Sequence, residues 1–210
     1  LVDAFGKVFD TAVIFPMRSP DAAAKRLLDM LAAHGCATIA LGNGSYSRET
    51  EGFLRSRVLS ATTGPGGEDV RLTIVDESGA SVYSASTLAG KELPDLDVTL
   101  RGAVSLARRL QDPMAEYVKI DPKSIGVGMY QHDVDQKRLA AELNQVVCLC
   151  VNTVGVDVNT ASPSLLQYIS GLSATVAAEV VRDRGERGPF ATRNHLNRVK
   201  GIGKKCFEQA

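Results

Sequence analysis

The chain has no apolar run near the roughly 18 residues that a membrane-crossing helix needs, so no membrane partner is expected. Nothing at its N-terminus resembles a signal peptide. Its four cysteines, Cys36, Cys148, Cys150 and Cys206, include no C-x-x-C pair. Cys148 and Cys150 stand two apart, which on a helix points them to different faces, so no zinc site is expected. They read as small buried or surface thiols of a reducing, intracellular setting: the cytoplasm, or the nucleus in a eukaryote. His34, His132 and His195 are scattered and form no triad or metal cluster, and no cofactor is expected. Net charge is also lacking, with 24 Lys and Arg against 24 Asp and Glu. Neutrality argues against a nucleic-acid partner, but the distribution is uneven. From Arg182 to Lys205 eight cations face two acids, a local charge of +6 that leaves −6 for the rest. Such asymmetry is the footprint of a basic binding face on a near-neutral body; the alternative is a merely solvated surface.

At 210 residues, 44% hydrophobic and 23% charged, the chain suits one large or two small globular domains. It begins at a leucine inside a strand-like pattern and so reads as a piece of something longer. Residues 1–15 read as a strand, a turn at Phe5-Gly6-Lys7 and a second strand from Val8 to Phe15. Ser19-Pro20-Asp21 starts a helix with a capping serine, and Gly35 ends it. Ala37 to Leu41 predicts a strand covered on both faces, running into Gly42-Asn43-Gly44-Ser45 and a helix from Ser47. Loops at the carboxyl ends of such strands are where α/β sheets place ligands. Thr62 to Gly67 is a glycine-rich loop, Val70 to Val75 a further strand, and Ser84–Lys91 and Val98–Leu110 are helices. The pattern predicts an α/β domain with a mixed sheet. No strand signal follows Asp112. Asp121 to Gly128 is a turn-rich joint, and Asp133 opens a long helix with apolar positions Leu139, Leu143, Val146, Val147, Cys150, Val151 and Val154.

Two stretches thirty residues apart organise the remainder. Shifting Lys200-Gly201-Ile202-Gly203 onto Ser170-Gly171-Leu172-Ser173 also sets Leu196 on Leu166 and Val199 on Ile169. Each unit is a short helix, a glycine turn carrying one apolar residue, and a second helix. The glycine supplies positive φ, the apolar residue packs between the helices, and the free N–H groups of the second helix suit a phosphate. A lone copy would pass for a glycine-capped helix end. Doubled, and with Lys204 and Lys205 following, the turn resembles a helix-hairpin-helix module, which grips nucleic-acid backbone without reading sequence.

Several stretches together resemble the transcription accessory protein Tex and its relatives. They are Ile39 to Gly44, Ser47 to Thr50, Ala80 to Ser86, Leu100 to Ser105, Ile120 to Gly128, Tyr130 to Val134 and Gly155 to Ser162. The resemblance implies an α/β followed by an all-α architecture. A YqgF-type domain of RNase H-like fold and mixed sheet covers 1–111, with its first strand missing from this chain. A helical connector covers 112–157, and a tandem helix-hairpin-helix domain covers 158–210. It also implies upstream helical domains and a downstream OB-fold RNA-binding domain in full-length members, and RNA or DNA backbone and the transcription or translation machinery as partners.

RNase H-like nucleases hold two divalent ions with convergent carboxylates. Glu49, Glu51, Asp76 and Glu77 sit near strand ends, but the late helix, Leu100 to Leu106, has no carboxylate and carries Arg101, which opposes a cation. The domain therefore reads as a nuclease fold without catalytic residues. The expected function is sequence-independent binding of nucleic-acid backbone through Gly171, Ser173, Lys200, Gly201, Gly203, Lys204 and Lys205. A metal-dependent nuclease or resolvase and a protein-interaction scaffold are the alternatives. Of the two turns, only the second combines turn chemistry with local positive charge.

Overall fold

The structure, a computed structural model, describes residues 1–62 and 69–210, so all but Thr62 of the glycine-rich loop expected at 62–67 lies outside the described residues. The chain forms two compact units, Leu1–Gln111 and Asp112–Ala210.

In the first unit, α1 spans Pro20–His34, β1 Thr38–Gly42, α2 Ser47–Phe53, β2 Arg71–Val75, α3 Ala80–Ser84, α4 Thr87–Glu92 and α5 Val98–Gln111. Proline at the first position starts α1, where its missing N–H costs nothing. Gly35 ends the helix in the left-handed region at φ 60°. Ser19 occupies the cap position, but its hydroxyl takes no N–H, contrary to expectation. β1 and β2 pair in parallel from Thr38 opposite Arg71 to Gly42 opposite Val75, and α5 packs on both. The core joins Ala23, Ala24 and Leu31 of α1 to Phe53, Leu54, Val58 and Val70.

Four expectations need correcting. The mixed sheet is two parallel strands among the described residues. The opening hairpin is one antiparallel bridge, Val2 to Val8, closed by Asp3, whose carboxylate accepts the N–H groups of Phe5 and Lys7 at 2.9 and 2.8 Å. Among the described residues the strand propensity at Val8–Phe15 finds no ladder to join beyond that bridge, and a β-rich sequence without a partner stays irregular. β1 is half-buried rather than covered on both faces, and Thr38 is exposed. The helix expected over Ser84–Lys91 is two helices, because Ser86 turns extended and caps α4, its Oγ accepting from Ala89 N–H at 3.1 Å.

In the second unit, α6 spans Pro113–Tyr117, α7 Gln136–Val154, α8 Pro163–Leu166, α9 Ala174–Arg187 and α10 Lys204–Gln209. The long helix starts later than expected. Asp133 lies in a 3-10 turn, and Asp135 caps α7 by accepting Arg138 N–H at 2.8 Å. Of its apolar stripe only Val151 is buried, while Val146, Cys150 and Val154 are exposed. Ser162 caps α8 ahead of Pro163. The first helix of the second repeat is a 3-10 segment, Arg193–Arg198. One core holds both repeats together: Val151, Leu165, Leu166, Leu172, Ala177, Val180, Phe190, Val199 and Ile202.

Candidate nucleic-acid interface

Both glycine turns close in the same way. Leu172 N–H donates to Ile169 O at 3.0 Å, and Ile202 N–H donates to Val199 O at 3.2 Å. In each four-residue turn the glycine holds the third position, with φ of 82° at Gly171 and 96° at Gly201, the conformation a type II turn needs and L side chains resist. The fourth residues, Leu172 and Ile202, are buried in the core.

The turns also lean on each other's helices, as a pseudo-twofold pair would. A Cβ on Gly171 would lie 3.0 Å from Cys206 O and 3.1 Å from Gln209 Cβ, both in α10. A Cβ on Gly201 would lie 3.0 Å from Val176 Cγ2 in α9. The Cys206 thiol donates to Gly171 O at 2.9 Å. Cys206 is thus a packing group between the two hairpins, a role its place in the sequence did not signal.

The two turns differ in what they leave open. Ser173 caps α9, its Oγ accepting Val176 N–H at 3.3 Å, and Ser170 N–H is taken by Asn152 Oδ1 at 2.9 Å. In the second turn Gly203 has no side chain to cap α10. Among the described residues Lys200 N–H, the counterpart of Ser170 N–H, has no acceptor. The first turn is closed by Ser173 and by Asn152 of α7, whereas among the described residues the N–H groups of Lys200, Gly201 and Gly203 in the second have no acceptor.

The basic segment divides just as sharply. Arg184 is turned inward, donating at 2.8 Å to both Val158 O and Ala161 O. Burial lowers its pKa, partly offset by the charge of Asp157. Arg198 binds Asp183 at 2.6 Å and Gly188 O at 2.8 Å and lies over the Phe190 ring at 4.6 Å. Arg187 pairs with the same Asp183 at 3.3 Å, and Arg182 with Glu179. Arg193 lies over Phe207 at 4.6 Å and caps the end of α10 through Phe207 O and Ala210 O. Five of the eight cations are therefore engaged within the fold. Lys200, Lys204 and Lys205 are exposed and form no ion pair among the described residues. All three flank the second turn.

In the first unit the four acids sit apart in role. Glu51 pairs with Arg55 at 2.8 Å. Asp76 Oδ1 accepts from Asn43 Nδ2 at 3.3 Å and from the Ser78 hydroxyl at 2.9 Å. Glu77 lies over the glycine loop, where a Cβ on Gly44 would meet Glu77 Oε1 at 1.6 Å. Glu49 is exposed in the first turn of α2. Among the described residues no three His, Cys, Asp or Glu side chains gather as a metal site would require. Arg101, expected to face that region, donates its Nε to Leu93 O at 3.1 Å. Among the described residues, no helix is long and apolar enough to cross a membrane.

Residues 1–111 match the family model of the Tex protein YqgF-like domain, and residues 151–210 match the helix-hairpin-helix motif. The chain is 52% identical over its whole length to "Protein tex" of Bordetella pertussis, covering 26% of that protein. It is likewise 52% identical to "Transcriptional accessory protein Tex" of Neisseria gonorrhoeae, covering 27% of it. Over 89% of its length it is 49% identical to the human "S1 RNA-binding domain-containing protein 1", of which it covers 18%. The chain thus spans about a quarter or less of the curated relatives it matches. A YqgF-like unit followed by paired glycine hairpins, at this identity, places the chain in the Tex family.

Proposed function

We propose that this chain is the part of a Tex-family transcription accessory protein that binds nucleic-acid backbone without regard to sequence, and that it does so without catalysing a reaction. The observation that carries the reading is the second turn. Among the described residues the N–H groups of Lys200, Gly201, Gly203, Lys204 and Lys205 have no acceptor and the three lysines no ion pair, and Gly201 and Gly203 put no side chain in the way. Backbone N–H groups and lysines hold phosphate oxygens well and carry no base information. Gly171 and Ser173 form the weaker of two sites, because Ser173 has already spent its hydroxyl as a cap. The YqgF-like unit serves as scaffold.

The reading is tested by titrating the chain against unrelated RNA and DNA oligonucleotides at several salt concentrations. Affinity is expected to fall steeply with salt, by a log–log slope of roughly 2 to 3 if each lysine neutralises about one phosphate. A flat salt dependence, or strong preference for one sequence, would contradict it. Cleavage of the oligonucleotides with magnesium or manganese would favour the nuclease reading instead.

A second expectation follows from the cap difference. Gly203→Ser gives α10 the hydroxyl that α9 has, so the helix gains about a few tenths of a kcal/mol. The same hydroxyl competes for the open amides, and binding is expected to weaken about threefold. Thermal melting and oligonucleotide titration of the one variant read both effects. Tighter binding would show that the amides are not used.

A further inference from the structure

Asn152 stands in the last turn of α7, on the exposed side of the helix and outside the two hairpin turns. Its side-chain amide reaches the first turn with both ends. Nδ2 donates to Tyr168 O at 2.8 Å, and also to Cys148 O in its own helix at 2.6 Å, while Oδ1 accepts from Ser170 N–H at 2.9 Å. The amide therefore brackets Ile169, the first residue of the turn, as a paired strand would. Ser170 and Gly171 are the two central residues of that turn. Gly171 in turn rests on α10, within contact of Cys206 and Gln209, and its carbonyl accepts the Cys206 thiol. Lys204 and Lys205 begin that same helix. Among the described residues no side chain braces the second turn in this way, and the residue thirty on from Asn152 is Arg182, which pairs with Glu179.

From this chain of contacts we infer that Asn152 is a positioning residue for nucleic-acid binding: it clamps the first turn so that α10 presents Lys204 and Lys205 in one place. The inference rests on the backbone-binding reading above. Nothing in the position of Asn152 puts it on the phosphate itself. Its effect passes through Ser170, Gly171 and Cys206. The first hairpin then contributes chiefly by holding the second, which accounts for a turn that is poor in cations yet retains its glycine.

The test uses the full 210-residue chain with a labelled single-stranded RNA and a labelled DNA duplex. Asn152→Ala is expected to weaken binding to both about three- to tenfold, as for loss of a short network of hydrogen bonds. The Ser170 amide should exchange with deuterium faster by a similar factor. In a Lys204→Glu, Lys205→Glu background the same change should cost almost nothing, because the groups it positions are gone. A second variant guards against simple unfolding. Proline is favoured at the second position of a type II turn, and Val199, which precedes the equivalent position in the other hairpin, is extended at φ −79° and ψ 130°, as a residue before proline must be. Ser170→Pro combined with Asn152→Ala replaces the clamp by a ring and should restore binding. Unchanged affinity in Asn152→Ala, full additivity with the lysine changes, or no rescue by Ser170→Pro would each overturn the inference while leaving backbone binding intact. No salt-dependent binding by the wild-type chain would overturn both.

Discussion

Replacing Lys204 and Lys205 together by glutamate is expected to weaken binding to every oligonucleotide by about 100-fold near 0.1 M salt. The salt slope should also fall by about 2, one for each phosphate contact removed. Both side chains are exposed and lack ion pairs among the described residues, so nothing in the fold depends on their charge. They stand immediately after Gly203, whose amide and theirs precede the first bond of α10, Phe207 N–H to Gly203 O at 2.9 Å. Two negative charges there repel the phosphate and remain solvated when it leaves. Because phosphates are the same along any sequence, the loss should be nearly uniform. Far-UV circular dichroism should show an unchanged fold, which separates lost contact from lost structure. A loss confined to one sequence, or a slope that stays put, would count against the second turn as the main site.

Arg198→Ala should behave in the opposite way, costing about 2–3 kcal/mol of stability and little intrinsic affinity. Arg198 joins Asp183, Gly188 O and the Phe190 ring, and the Asp183 side chain is only 9% exposed. Removing the guanidinium leaves that carboxylate with Arg187 alone, a partner whose own side chain is 58% exposed. An incompletely compensated buried charge is costly, and the stacked face of Phe190 is uncovered as well. Urea unfolding followed by far-UV circular dichroism measures the loss. Arg198→Lys should recover only part of it, since an ammonium cannot hold Asp183 and Gly188 O and still lie flat on a ring. Affinity measured where the variant remains folded should keep its salt slope. A large fall in slope with stability intact would instead make Arg198 a phosphate ligand.

These two changes concern residues only six and seven positions apart in one basic run, and charge counting treats them alike. The run from Arg182 to Lys205 was legible as +6. It was not legible that its five arginines are spent on Glu179, Asp183, carbonyl oxygens and two aromatic rings. Such partners lie up to 26 residues away, as for Arg184 and Val158, and no local pattern announces them. The first unit shows the same limit on strands. Val8–Phe15 has the composition of a strand, yet a ladder needs a neighbour at the right register, and composition does not provide one. Asn152 escaped notice for a related reason. An asparagine near the end of a helix is unremarked until the fold brings Tyr168 and Ser170 beside it.

What could be read from the residues alone was whatever depends on neighbours along the chain. The thirty-residue repeat, the two turns with positive φ at Gly171 and Gly201, the buried Leu172 and Ile202, the existence of strands at Thr38–Gly42 and Arg71–Val75 and the family are all of this kind, because backbone sterics and periodicity act over a few residues. The inequality of the two turns was visible only as a difference in nearby charge. Its structural basis is that one turn is closed by Asn152 and Ser173, whereas among the described residues the other has no side-chain cap and stands beside three lysines without ion pairs. Hydrogen-bond and charge satisfaction is a property of groups brought together across the fold, and it is settled when the two hairpins pack on one core.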